Sequence, residues 1–172
     1  MGVAPLPLLS ETILTLEELA ALGCIAVEST YTELFIEKLI WELCHLRNEQ
    51  KEFLTERLMM EGKLDLLKKV AAPKLRSAKR KKAFDKVISD LRIANADRIT
   101  AIHGEWSAPN MTLREYMYAR NVPPAIARKK KTIMSADKLM ETAFRIYQAH
   151  NGLRVFAKKE WPKFSTLKER FL

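Results

Sequence analysis

The stretch "TLEELAALGCIAVESTYTELFIEKLIWELCHLR", residues 15–47, decides the fold class of this chain. It opens with Thr15 and Glu18 at the spacing of a capping box, in which the threonine oxygen accepts a backbone N–H and the glutamate bonds back to the cap residue. Apolar residues then recur every three or four positions, which predicts one long α-helix with a point of bending at Gly23. The stripe expected to face the core is Val27, Tyr31, Leu34, Phe35, Ile36, Leu39, Ile40, Leu43 and Leu46.

The rest of the chain carries the same helical pattern. Residues 49–71 predict one helix or a pair of helices, a long helix is expected from about Ser77 to His103, and a last helix begins at Ser135. The chain has only 5 glycines in 172 residues, and its common residues are good helix formers. We therefore expect an all-α, up-and-down bundle of four to five helices.

A short insertion is expected before the last helix, at about residues 112–133. Its β-branched and aromatic runs are compatible with a β-hairpin, although "LREYMYAR" also fits a helical turn. Two prolines make residues 1–14 an N-terminal arm, residues 15–160 form a single helical domain, and residues 161–172 form a C-terminal tail.

The positive charge is concentrated in one segment. The chain has 30 basic and 21 acidic residues, and eight of the basic ones lie between Lys68 and Lys82 with no acidic residue among them. Such a run favours binding to phosphates with little sequence preference, while a solvated segment that keeps the protein soluble is the alternative. The predicted nucleic-acid interface consists of Lys74, Arg76, Lys79, Arg80, Lys81 and Lys82.

Other classes of site are not indicated. Cys24 and Cys44 do not form a Cys-x-x-Cys pair and no histidine cluster accompanies them, so no metal and no cofactor is expected. Two free cysteines fit a reducing compartment. The first residues lack the basic region of a secretory signal, and the longest apolar run, residues 19–27, is much shorter than the roughly 20 residues of a membrane span. We expect a cytoplasmic protein without membrane contact.

The stretch "ANADRITAIHGEW", residues 94–106, places Arg98 and His103 five positions apart. Histidine suits proton transfer near neutral pH, and arginine suits binding of phosphate oxygens. The same spacing recurs at Arg145 and His150, which we interpret as a surface arginine and a partly buried histidine. In a straight helix five positions leave two side chains about 140° apart, so a two-fold-related second copy could complete such a cluster.

This stretch resembles the Arg-x4–6-His signature of HEPN domains, the higher eukaryote and prokaryote nucleotide-binding domains. The motif covers about 13 residues, and the layout covers most of residues 15–157. The resemblance implies an all-α bundle that forms a homodimer and, in active members, a metal-independent ribonuclease site in which Arg98 and His103 are catalytic. The family usually has a polar residue directly after the arginine, whereas Ile99 stands here. Asn95, one turn earlier, is the nearest amide and the expected supporting residue.

The function that this resemblance implies is cleavage of RNA by attack of its own 2′-OH, in toxin–antitoxin or antiviral defence. Arg98 would bind the scissile phosphate and His103 would transfer protons, with RNA, a second copy and a cognate antitoxin as partners. A catalytically inactive dimer that binds RNA, a nucleotide or a protein is the alternative, and a purely structural helical dimer is a third. Most glutamates of the first helix fit a solvated face, and one of them could orient the arginine: Glu28, Glu33, Glu37 and Glu42.

Overall fold

The computed structural model describes residues 14–103 and 135–162. They form five α-helices and a 3-10 turn at Ala72–Lys74, and no strand occurs among them. The helices are α1 (Leu16–Leu43), α2 (Asn48–Thr55), α3 (Met60–Ala71), α4 (Ala78–His103) and α5 (Ala136–Glu160). The prediction of an all-α bundle is confirmed for these residues. The insertion predicted at residues 112–133 lies outside them, as do most of the predicted N-terminal arm and C-terminal tail.

Side-chain caps start two of the long helices where the sequence predicts. Oγ1 of Thr15 accepts the N–H of Glu18 at 3.2 Å, and the Glu18 carboxylate accepts the N–H of Thr15 at 2.8 Å, which completes the capping box of α1. Oγ of Ser135 accepts the N–H of Lys138 at 3.4 Å at the start of α5. Both caps satisfy backbone N–H groups that have no partner inside the helix.

Contacts between helices fix their directions. α4 runs antiparallel to both α3 and α5. α1 runs in the same direction as α5, because Thr32 lies near Ile146 and Phe35 contacts His150. The contacts that define α4 are the ion pairs Glu61–Arg92, Lys68–Asp85 and Asp97–Arg145 and the ring contact Phe84–Phe156. Large side chains buried in the resulting core include Ile36, Ile40, Leu64, Leu67, Phe84, Ile88, Leu139 and Leu153.

The buried face of α1 differs from the predicted stripe. Val27, Tyr31 and Leu34 were expected inside but are 52%, 52% and 41% exposed, while Ser29 and Thr32 are buried. The prediction for the three large residues is therefore wrong. Each buried hydroxyl donates to the backbone carbonyl four residues earlier, at 2.6 and 2.7 Å, so burial leaves no donor unpaired. Both sides of α1 carry apolar residues, and periodicity alone did not distinguish them.

α1 is also long and apolar enough to cross a membrane, judged by length and composition alone. In the bundle, one side of this helix packs against α3, α4 and α5. The same features occur in core helices of soluble proteins, so they do not decide the location of the protein. The cytoplasmic location and the absence of membrane contact stay predictions.

Candidate functional site

Arg98 lies on the inward face of α4, near its C-terminal end. Its half-buried side chain lines a cavity of about 10 Å³ together with Ser29 and Thr32 of α1 and Ile146 of α5. A cavity of this size accommodates about one water molecule. A nucleotide does not fit inside it, so any RNA would have to reach Arg98 from the mouth of the cavity.

Two polar atoms on this face of α4 lack a partner among the residues that the structure describes. Nε of Arg98 and Oδ1 of Asn95 are buried without a hydrogen bond, whereas Nδ2 of Asn95 donates to Oε1 of Glu61 at 3.2 Å. Folded proteins pair about nine in ten of their buried polar groups, and each unpaired one costs about 1–3 kcal/mol. Buried unpaired atoms also occur in three other residues, Asp97, Arg145 and His150. The two atoms of Asn95 and Arg98 therefore mark a candidate functional site only together with the resemblance of the surrounding sequence.

No acidic group neutralises Arg98 within the described part of the chain. The expectation that a glutamate of α1 orients it is not met, because Glu33 and Glu37 both accept hydrogen bonds from Nζ of Lys63, Glu37 at 2.5 Å. Burial lowers the pKa of Lys63, but the two carboxylates outweigh it and the pKa is raised. The buried ammonium of Lys63 thus has two acidic partners, and the guanidinium of Arg98 has none in these ranges.

The backbone of α4 remains helical through His103, whose side chain lies outside the described residues. The five positions from Arg98 therefore correspond to a rise of about 7.5 Å and a separation of about 140° around the helix. The two Cα atoms are about 9 Å apart by the same geometry. The helix does not unwind before His103 to bring the two residues onto one face.

The second Arg-x4-His pair lies on α5. Nη1 of Arg145 is 3.1 Å from Oδ2 of Asp97, close enough for an ion pair but not aligned as a hydrogen bond. His150 is half-buried, and its ring lies 5.5 Å from that of Phe35. Burial and then the nearby charge of Arg154 lower the pKa of His150 to about 4. His150 is partly buried as expected, while Arg145 is half-exposed, and Nε of Arg145 and Nε2 of His150 are buried without a hydrogen bond in the described residues. The interpretation of this pair as structural stays a prediction.

Three helix ends form a basic surface at the opposite end of α4. The predicted interface residues are all exposed, and only Arg80 among them has an ion-pair partner in the described ranges, at 3.1 Å from Glu160. That pair places the last turn of α5 beside the start of α4, which adds Lys158 and Lys159. The basic end, as we call it, comprises Lys74, Arg76, Lys79, Arg80, Lys81, Lys82, Lys158 and Lys159.

The basic end does not adjoin Arg98, although the two are close in the sequence. Eighteen residues of α4 separate Arg80 from Arg98, which is about 27 Å along a helix. The sequence could not reveal Lys158 and Lys159 as members of this surface, because only the antiparallel packing of α4 and α5 brings them there. The sequence did contain one indication of these residues, namely two adjacent lysines in the last turn of a predicted helix.

Within residues 14–103 and 135–162, no group of three or more histidine, cysteine or acidic residues could hold a metal ion. Cys24 and Cys44 are free thiols, the first exposed and the second half-buried. Comparison with known proteins found no family model, curated protein or solved structure that matches the chain. Any function therefore has to be argued from the residues themselves and from the resemblance of the Arg-x4-His stretch.

Proposed function

We propose that this protein binds RNA and cleaves it without a metal at the C-terminal end of α4. Arg98 binds the scissile phosphate, and His103 transfers protons. The observation that supports the proposal is the guanidinium of Arg98, which no carboxylate pairs with in the described residues. Its Nε is buried without a partner, as is Oδ1 of Asn95 one turn earlier.

The chemistry uses the nucleophile that RNA already carries. Removal of the proton from the 2′-OH lets that oxygen attack phosphorus, the bond to the 5′-oxygen breaks, and the leaving oxygen takes up a proton. A histidine near its ordinary pKa can perform such transfers, and a guanidinium stabilises the charge that develops on the phosphate oxygens. The products are a 2′,3′-cyclic phosphate and a free 5′-OH.

One chain can supply both groups if RNA crosses the end of α4. Arg98 and His103 both lie within the last two turns of α4. A gap of about 9 Å between the Cα atoms is within the combined reach of the two side chains, provided that the guanidinium extends from the mouth of the cavity. The cluster shared by two copies is the alternative arrangement.

An assay of single-stranded RNA in EDTA tests the proposal. The wild-type protein should generate 2′,3′-cyclic phosphate ends, detected by mass spectrometry. Arg98→Ala and His103→Ala should each lower the rate at least about 100-fold. Arg145→Ala and His150→Gln are matched controls with the same spacing on α5, and they should retain cleavage. Cleavage that survives both α4 substitutions, or that requires a divalent metal, contradicts the mechanism.

Mixing the two inactive variants distinguishes the two arrangements. If one chain supplies both groups, an equimolar mixture of Arg98→Ala and His103→Ala stays inactive. If the site is shared between copies, the mixture regains a substantial fraction of the wild-type rate, because some sites then combine an intact arginine with an intact histidine. The mixture is to be equilibrated at high protein concentration so that subunits exchange.

The second candidate is an RNA-binding module without cleavage. It is favoured by the partial burial of Arg98 and by the distance of about 27 Å from there to the basic end. It predicts salt-sensitive RNA binding that Lys79→Ala, Lys81→Ala and Lys82→Ala weaken together, with no cleavage product. A role in toxin–antitoxin or antiviral defence, with a cognate antitoxin, rests on the resemblance alone. Growth arrest on expression of the wild type, but not of Arg98→Ala, would support it.

A further inference from the structure

An apolar surface lies on the outer side of α1 and α5. Three large apolar residues of α1 and three of α5 are between 41% and 57% exposed, although each belongs to a helix with a well-buried opposite face. On each helix the three residues are spaced three or four positions apart and so follow one side. We call this surface the apolar face, and it consists of Val27, Tyr31, Leu34, Met140, Phe144 and Tyr147.

The two halves of the apolar face adjoin each other across the contact between α1 and α5. That contact is marked by the rings of Phe35 and His150, 5.5 Å apart. At about 100° per residue, Tyr31 lies about 40° around α1 from Phe35, and Tyr147 lies about 60° around α5 from His150. Since α1 and α5 run in the same direction, Tyr31 and Tyr147 also lie at similar positions along the two helix axes. The six side chains therefore form one continuous surface.

The size and composition of this surface are those of an interface. Side chains of this kind have roughly 150–200 Å² of surface each, so six that are half exposed present roughly 500 Å². The largest apolar patch on an ordinary monomer is about 300–600 Å² and is often functional. Aromatic residues and methionine are enriched in interface cores, from which charged residues are depleted, and none of the six is charged.

We propose that a second copy of this chain docks on the apolar face in antiparallel orientation. Asp137 and Arg154 are exposed at the two ends of α5, equally far from a point between Phe144 and Tyr147. A two-fold axis through that point pairs Asp137 of each copy with Arg154 of the other and places Phe144 against Tyr147 of the other. Phe144 and Tyr147 already stack within one copy, with ring centroids 6.3 Å apart.

The area of the apolar face is sufficient for an interface with a second copy of this chain. Two faces of roughly 500 Å² form an apolar centre of roughly 1,000 Å², to which the surrounding polar rim adds, and stable interfaces bury about 1,200–2,000 Å² in total. In a parallel arrangement, Arg154 of one copy would lie near Arg154 of the other, and the ion pairs between Asp137 and Arg154 would not form. Opposite charges at the two ends of α5 therefore favour the antiparallel dimer.

The dimer leaves the two candidate catalytic sites apart. Arg145 faces α4 through its contact with Asp97, and Tyr147 lies about 160° around α5 from Arg145. The apolar face and α4 are thus on opposite sides of α5, and Arg98 of one copy does not approach His103 of the other. The inference stands independently of the proposed ribonuclease activity.

The mass of the full chain in solution tests the inference. One chain has a mass of 19.8 kDa. Light scattering or sedimentation should give twice that mass for the wild type, and Phe144→Glu should raise the dissociation constant at least about 100-fold. Ile93→Glu is the matched control, because Ile93 is 55% exposed on α4, away from the apolar face, and this variant should remain a dimer.

A charge exchange gives a second readout that does not alter the apolar residues. Asp137→Arg and Arg154→Asp should each weaken the dimer, and the double variant should restore it, because the cross-copy pairs are re-formed with inverted sign. Circular dichroism and the melting temperature establish that each variant is folded. A wild-type monomer at about 100 μM, a dimer that persists in Phe144→Glu, or equal weakening by Ile93→Glu overturns the proposal.

Discussion

Nη1 of Arg145 lies 3.1 Å from Oδ2 of Asp97, the residue directly before Arg98. This ion pair ties α5 to α4 beside the candidate site. Both side chains are partly exposed, so the pair contributes modestly to stability. We expect Arg145→Met to lower the free energy of unfolding by about 0.5–1 kcal/mol, measured by urea denaturation, and to leave RNA cleavage intact. Loss of cleavage in a folded Arg145→Met variant would contradict the assignment of this arginine as structural.

Arg98→Met should change stability in the opposite direction. The substitution keeps an unbranched chain in the cavity and removes a buried N–H that has no partner in the described residues. We expect the free energy of unfolding to rise by about 1 kcal/mol, while RNA cleavage is lost. Urea denaturation of Arg98→Met and Arg145→Met under identical conditions shows whether the free energy of unfolding changes in opposite directions. A fall in stability as large as that of Arg145→Met would indicate that Arg98 has a structural partner.

His150 should make the fold sensitive to mild acid. Its pKa is about 4 in the folded protein, and the ordinary value of histidine is near 6.5, so below pH 6.5 the unfolded chain binds more protons than the folded one. The corresponding stability is present above pH 6.5 and is lost as the pH falls to 4, by about 1–2 kcal/mol because solvent screens the partly exposed ring. Denaturation between pH 4 and 7 should show this loss, and His150→Leu should flatten the profile.

Lys158 and Lys159 should contribute to RNA binding as the predicted basic run does. We expect the double variant Lys158→Ala, Lys159→Ala to weaken binding at low salt and to lower the slope of log affinity against log salt by about 1–1.5. Fluorescence anisotropy with a labelled RNA measures both quantities. Lys86→Ala is the control, because Lys86 pairs with Asp90 on α4 at 2.7 Å. An unchanged slope in the double variant would remove α5 from the interface.

The sequence predicted the helices well because their starts are local. Thr15, Glu18 and Ser135 bond to backbone groups within three residues, and a local pattern is sufficient to recognise them. The face of α1 that is buried was not predicted correctly. Hydrophobicity predicts that Tyr31 is buried and Thr32 is exposed, but the structure shows the reverse. The hydroxyl of Thr32 donates to a backbone carbonyl within the helix, and the side chain is small enough for the packed side.

The candidate site was only partly predictable. Asn95 and Arg98 share the inward face of α4, as their spacing implies, and the straight helix separates Arg98 from His103 as expected. The ion pair of Arg145 with Asp97 joins residues 48 positions apart in the sequence. This contact depends on the register with which α4 and α5 pack, and the periodicity of the sequence does not indicate that register.

Under the proposed function, the unbroken length of α4 also has a consequence for the length of the RNA. A helix of 26 residues holds Arg80 and Arg98 roughly 27 Å apart, so an RNA strand that contacts both residues must span at least that distance. Shorter oligonucleotides would occupy one end of α4 or the other, so the protein would distinguish its substrates by length before it distinguishes them by sequence.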